Sequence, residues 1–187
     1  MIFILIGCLA FFFLYIFDIN KVLLLHKNLN ILFAVGVLLL AFATIGVLLS
    51  YSADFQLNIV LRVFFYLLSL FSLILIPYSL FFSLPFRKTY FEIAKENTVV
   101  DTGMYALCRH PGVLWFFFFY LFLWLASGKI MVMWAGLVWT IMDIIHVYVQ
   151  DRWLFPKTLI GYERYKDKVP FLIPSLCSVK KCIITIK

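Results

Sequence analysis

The chain has 187 residues, of which 65% are hydrophobic and only 13% charged, with a formal net charge of +7. Soluble domains carry roughly 25% charged residues, so this composition excludes a water-soluble globular protein and dissolves most of the chain in lipid. A basic face against anionic lipid accounts for the positive charge without nucleic acid, and the length fits one membrane domain.

A helix needs about 20 apolar residues to cross a bilayer. Five segments qualify as candidates: 1–17, 29–49, 59–84, 113–126 and 130–149. Together they predict an all-α, multi-spanning membrane bundle of about five transmembrane helices. The first is short for a span. Its Leu5-Ile6-Gly7-Cys8 is similar to a lipoprotein cleavage site, but no Lys or Arg precedes it, so it reads as a span. The third carries Pro77, which predicts a kink or a tilt. Next comes the polar connection 86–101, where Phe86, Tyr90, Ile93 and Ala94 recur at helical spacing and predict an interfacial helix. The fourth segment is also short, and is expected to borrow length from the residues around His110 or to lie partly in the interface. Only Ser127-Gly128-Lys129 separates it from the fifth, which predicts a tight helical hairpin. The tail 152–174 is amphipathic and aromatic, and is expected against the membrane or over a site. The single domain, 1–187, thus divides into three N-terminal spans (1–85), a half with spans four and five (86–174) and a basic tail (175–187).

Positive charge sets the orientation. The loop after span one holds Lys21 and Lys27, and the loop after span three holds Arg87, Lys88, Lys95 and Arg109. The tail adds eight, so these regions carry 14 of the 16 Lys and Arg. The loop after span two has none, and the loop after span four has only Lys129. The N-terminus is therefore expected outside and the C-terminus in the cytoplasm. Cys8, Cys108, Cys177 and Cys182 match no zinc or redox spacing, so neither a metal site nor a disulfide framework is expected.

Three polar clusters fall at the cytoplasmic edge. The first is Asn97 to Pro111, NTVVDTGMYALCRHP. Gly103 permits a turn, and Tyr105 supplies an aromatic face with a hydroxyl. Arg109 is a permanent cation with a planar fork suited to carboxylate or phosphate, and His110 can exchange a proton near neutral pH. Pro111 suits a first helical position. Taken alone, the same stretch also describes an interfacial Arg snorkelling to lipid phosphate. The second cluster, Asp143, His146, Gln150 and Asp151, ends the last span. Steps of three and four put 143, 146 and 150 on one face, either as a functional site or as a structural Asp143–His146 contact. The third is YERYKDKVPFLIP, Tyr162 to Pro174, with Tyr162 and Tyr165 on one helical face and Val169-Pro170 ending that helix.

The order of these pieces resembles one family. Val99-Val100-x-x-Gly103-x-Tyr105 precedes Arg109-His110-Pro111; an acidic pair ends the last span; Tyr162-x-x-Tyr165 and Val169-Pro170-x-x-x-Pro174 follow. It is similar to the isoprenylcysteine carboxyl methyltransferases and the related phospholipid N-methyltransferases, over residues 97–174. The resemblance implies S-adenosylmethionine as cofactor, bound at the cytoplasmic edge of spans four and five. Carried over, it points to Asn97, Thr98, Val99, Val100, Tyr105, His110, Pro111, Gly112, Val113, Gln150 and Asp151 for the cofactor. It also implies catalytic roles for Arg109 and for His146, which falls where the family's substrate-facing Arg is expected. The chain departs from the pattern at Val113, where a Tyr is usual; at Gln150, where one charge of the acidic pair is gone; and at Leu159, where a Gly is usual. The implied acceptor is lipophilic or lipidated: a prenylcysteine-like carboxylate, a thiol or a phospholipid amine. The implied location is a multi-pass position in a cell membrane or in the endoplasmic reticulum. Membrane sterol and steroid reductases share the Arg-His and Tyr-x-x-Tyr-x-x-x-Val-Pro pieces and offer a nicotinamide alternative, although their final Pro-x-x-Tyr is missing after Pro174. A non-enzymatic membrane scaffold is the third reading.

Single-cysteine labelling tests the topology. Cysteines at positions Lys27, Lys95 and Lys166 should label from the cytoplasmic side, and those at Asp54 and Lys129 from the opposite side. Labelling of the Asp54 and Lys166 positions from one side would rule out the five-span arrangement.

Overall fold

The computed structural model describes residues 1–50, 53–82 and 99–185. Of the predicted interfacial helix 86–101, the part up to Thr98, Asn97 included, lies outside the described residues, and 99–101 are not helical. The chain is helical, as expected. It runs α1 (Ile2–Ile19), α2 (Ile31–Ser50), α3 (Ile59–Pro77), α4 (Met104–Leu107), α5 (Pro111–Ser127), α6 (Ile130–Val149), α7 (Phe155–Thr158), α8 (Tyr162–Lys168) and α9 (Leu176–Thr185). Among the described residues, four helical segments are long and apolar enough to cross a membrane: Ile2–Leu24, Lys27–Leu49, Ile59–Leu80 and Ile130–Thr158. The fifth apolar helix, Pro111–Ser127, has 17 residues. At about 1.5 Å per residue it is slightly shorter than a hydrocarbon core of about 30 Å. It does gain residues at its start, because Pro111 takes the first helical position. The protein is a multi-pass helical membrane protein.

The described contacts group into two compact units. One comprises Met1–Leu70 with Phe117–Gln150; the other comprises Phe71–Phe116 with Asp151–Lys187.

In the first unit, α1 and α2 form a hairpin whose turn depends on one buried side chain. Leu25 sits at φ 54°, an unfavourable conformation for a residue with a γ-branch. Asn20 offsets that cost: its backbone carbonyl accepts from Leu25 N at 2.8 Å, its Oδ1 from His26 N at 2.9 Å, and its Nδ2 donates to His26 O at 3.0 Å. Lipid offers the helices no hydrophobic drive to associate, so small residues that allow close packing are favoured at their contacts. Gly36 lies against Leu14, Gly46 against the Phe3 ring, and Gly7 directly on the Trp139 indole of α6. Trp139 is fully buried and donates from Nε1 to Ile4 O at 3.0 Å. Gly136 of α6 faces the Tyr120 ring of α5, and Tyr120 in turn shares a 2.7 Å hydrogen bond with Thr44 of α2.

At one end of this unit the loops before α3 and α6 meet. Asp54 N donates to Gly128 O at 2.8 Å, and Ile130 N donates to the Asp54 carboxylate at 2.7 Å, capping α6. Gly128 has φ +68°, and a Cβ there would run into Phe55 O, so glycine is required. Lys129 Nζ binds Leu48 O, satisfying a carbonyl near the C-terminus of α2. The hairpin predicted from Ser127-Gly128-Lys129 is therefore locked by the loop after span two.

In the second unit α9 packs on α4. Met104, Ala106 and Cys182 are buried there against Leu75, Tyr78, Leu107 and Trp115. Gly103 N donates to Thr185 Oγ1 at 2.8 Å, and Lys181 pairs with Asp101 at 2.8 Å. The chain from Tyr78 to Phe82 is a π-helical turn following Pro77, the proline that predicted a kink or a tilt. Tyr162, Tyr165 and Val169 form a second buried group with Val99, Phe155 and Leu159.

Gly7→Val should test the first unit's packing. The added carbons have no room beside Trp139, so thermal stability in lipid nanodiscs should fall by an amount typical of overpacking, about 1–3 kcal/mol. An unchanged melting temperature would contradict the α1–α6 contact.

Candidate functional site

The Arg-His-Pro stretch acquires its shape from its neighbours. Cys108 ends α4 in an extended conformation (φ −157°, ψ 168°), and Pro111 disfavours helix at the residue before it. Cys108, Arg109 and His110 are thus held between two helices. Arg109 N donates to Pro170 O at 2.9 Å, which fastens the stretch to the Val169-Pro170 break after α8. Beyond α6 the chain continues as a π-helical turn, Gln150–Leu154, a geometry that often marks functional sites.

That turn presents Asp151, which is 5% exposed, to three partners. Its Oδ1 accepts from Tyr162 OH at 2.6 Å and lies 3.3 Å from His110 Nε2. Arg109 Nη1 donates to Oδ2 at 3.1 Å. Aromatic rings close around this polar centre. The Arg109 guanidinium lies 5.4 Å from the Phe171 ring centre. The His110 ring stacks on Phe155 at 5.9 Å and meets Phe171 edge-on at 5.1 Å. Tyr162 packs on Phe155 and Tyr165, and Tyr165 OH donates to Tyr105 O at 2.7 Å. The tail therefore packs over this polar centre.

Of the residues named from sequence, the structure brings Arg109, His110 and Asp151 into one hydrogen-bonded network with Tyr162, and the Tyr105 carbonyl binds Tyr165, whose ring packs on Tyr162. Val99 packs beneath the tyrosines, and Pro111 and Val113 are buried at the start of α5. Val100 is half-buried. Gly112 has room for a Cβ, its nearest neighbours being Leu80 and Ser79 at 3.7 Å. Gln150 goes elsewhere. Its amide donates to Asp18 at 2.5 Å, the same carboxylate oxygen that lies 2.5 Å from His146 Nε2. The expected pair Gln150-Asp151 is thus divided between two hydrogen-bond sets. Asp18 was missed in the sequence; the available signal was an acidic side chain at the end of an apolar span.

Burial dominates the electrostatics of the tail and of the α4 end. The Cys108 thiol is pushed up to about 12 by burial, so it is an inert packing group. Both Tyr162 and Tyr165 are pushed above the ordinary phenol value, chiefly by burial, with the Asp151 hydrogen bond adding to the effect at Tyr162. Arg109 and Asp151 together are neutral, which makes the buried network tolerable. Removing one member leaves an uncompensated buried charge, a cost of about 3–5 kcal/mol. The Arg109 Nε is buried and has no hydrogen-bond partner among the described residues.

Two measurements test the network. Tyr162→Phe removes a hydrogen bond to a charged acceptor and should lower stability by about 1.5–3 kcal/mol. The raised phenols also set an alkaline limit. Unfolded tyrosine ionises near pH 10, so the two phenols' contribution is complete below about pH 10 and is lost as the pH rises from there. Tyrosinate absorbance should therefore show a set of phenols, Tyr162 and Tyr165 among them, that ionise only with unfolding, and Tyr162→Phe and Tyr165→Phe should each remove one phenol from that set. Normal titration of every tyrosine in the folded protein would refute their burial.

No family model matches the chain, and neither a curated protein nor a solved structure matches it.

Proposed function

We propose that the protein is an integral membrane S-adenosylmethionine-dependent methyltransferase acting on a lipophilic acceptor. The observation that carries this reading is the convergence of Arg109, His110, Asp151 and Tyr162, from three separate stretches of chain, on one buried polar centre ringed by aromatic side chains. A purely structural ion pair needs no such aromatic enclosure, and it leaves no donor over.

The residues fit the cofactor's groups. The orphaned Arg109 Nε suits a carboxylate, because a buried donor without a partner costs about 1–3 kcal/mol that an anionic acceptor relieves. Asp151 suits an ammonium group. The rings of Phe155, Phe171 and Tyr162 suit a sulfonium, a cation–π contact worth roughly 0.5–2 kcal/mol. When bound, S-adenosylmethionine supplies an electrophilic methyl group on that sulfonium. The chain's part is to orient and to exclude water. Asp151 holds His110 and the guanidinium plane of Arg109, and Tyr162 fixes Asp151. The apolar helices give access to a lipid-borne acceptor such as a prenylcysteine-like carboxylate, a thiol or a phospholipid amine. In the orientation set by the basic loops, this chemistry faces the cytoplasm.

Calorimetry on the protein in nanodiscs tests the reading. S-adenosylmethionine should bind and NADPH should not. Arg109→Lys keeps the charge but loses the planar fork, and should weaken donor binding by about tenfold or more, ~1.4 kcal/mol. Binding of NADPH instead would transfer the site to reductase chemistry. Binding of neither would leave a scaffold.

A further inference from the structure

The last helix of the second unit, α9, has an inner and an outer face. On the inner face Ser178 and Cys182 are buried, and the group of Met104, Ala106 and Cys182 packs with Leu75, Tyr78 and Trp115. Leu75 and Tyr78 belong to the last two turns of the spanning segment Ile59–Leu80, and Trp115 belongs to the start of α5. Tyr and Trp favour the level where lipid headgroups meet hydrocarbon. The inner face thus fastens α9 at the end of a span, at headgroup depth.

The outer face is apolar. Leu176, Lys180, Ile183 and Ile184 recur at the i, i+4, i+7, i+8 spacing of one helical face, and all four are exposed. Leu176 is 85% exposed, Ile183 68% and Ile184 81%. Apolar patches of this kind mark contact with a membrane or a partner. The lysine decides between them. Residues 175–187 contain Lys180, Lys181 and Lys187 and no acidic residue. Lys181 is engaged by Asp101, whereas Lys180 stands in the middle of the apolar face. An apolar groove on a protein would have to bury that ammonium. At a bilayer surface the lysine lays its methylenes along the apolar strip and lifts its charge to the phosphates. An apolar strip with cations and no acid is what an anionic lipid surface binds. The neighbouring surface is already lipid-facing, since Phe71 and Ile74 of α3 are exposed on the span to whose end α9 is fastened.

We propose that α9 is an interfacial anchor that docks on anionic lipid. Leu176, Ile183 and Ile184 enter the boundary between headgroups and acyl chains, and Lys180 binds lipid phosphate. The anchor does not depend on the methyl-transfer reading. Thr185 Oγ1 accepts from Gly103 N and Lys181 holds Asp101, so docking of α9 also ties the chain entering α4 to the lipid surface.

Spin-label collision measurements in nanodiscs test the anchor. A nitroxide is placed on the exposed Cys177, or on Ile184→Cys in a Cys177→Ser chain. Cys8→Ser removes the other partly exposed thiol, and Cys108 and Cys182 are buried. Immersion is read as the ratio of collisions with oxygen to collisions with a neutral nickel chelate. Both labels should favour oxygen in a bilayer with about one third phosphatidylglycerol, and the ratio should fall about twofold or more in phosphatidylcholine alone. Lys180→Gln should bring the ratio in the anionic bilayer down to the phosphatidylcholine value, and Lys180→Arg should preserve it. Preferential collision with the nickel chelate places the face in water and overturns the anchor. Shielding of both labels from both reagents places a protein surface, such as a second copy of the chain, on the face and overturns it as well. A ratio that ignores lipid charge overturns the docking on anionic lipid.

Discussion

A carboxylate buried to 5% exposure cannot remain without partners, and the second unit is organised around meeting that demand. Asp151 recruits a guanidinium, an imidazole and a phenol. Each partner is in turn held by something else. Arg109 is tied through its amide to Pro170, His110 is wedged between aromatic rings, and Tyr162 lies in the group formed with Tyr165 and Val169. Low local dielectric strengthens these bonds and also makes any missing one costly. The consequence is a cooperative set in which the tail after α6, the end of α4 and the start of α5 stand or fall together.

The first unit obeys a different rule. Its helices are apolar on nearly every side, so hydrophobicity cannot tell them which faces to join. Close approach does so instead. Glycines set against Trp139, Leu14, Phe3 and Tyr120 allow contacts that larger residues forbid. A few hydrogen bonds, such as Trp139 to Ile4 O and Tyr120 to Thr44, then fix the register. The hairpin turn at Leu25 is held in an unfavourable conformation by Asn20, a buried polar side chain with a purely structural task.

These two rules bear differently on function. Packing by small residues leaves little room for polar groups, so the set of Asp18 on α1, His146 on α6 and Gln150 in the turn after it is conspicuous by its chemistry. The Asp151 network holds a buried ion pair ringed by aromatic side chains, with an Arg109 Nε that has no hydrogen-bond partner among the described residues.

By itself the sequence determined the helical class, the approximate spans and the short loops, because these depend on runs of apolar residues and on where Pro and Gly interrupt them. It also determined that Arg109, His110, Asp151 and the two tyrosines were worth attention, because ionisable groups beside lipid are costly. Only the tertiary structure decided who partners whom. Residues 150 and 151 are consecutive and look like one acidic pair, yet a π-helical turn begins there and their side chains join different sets. Asp18 stands 128 positions before His146, and no local pattern connects them. Hydrogen-bond partners in a membrane helix bundle are chosen by rotation and register of packed helices. Those are set by contacts between residues distant in the chain, which periodicity and spacing do not encode.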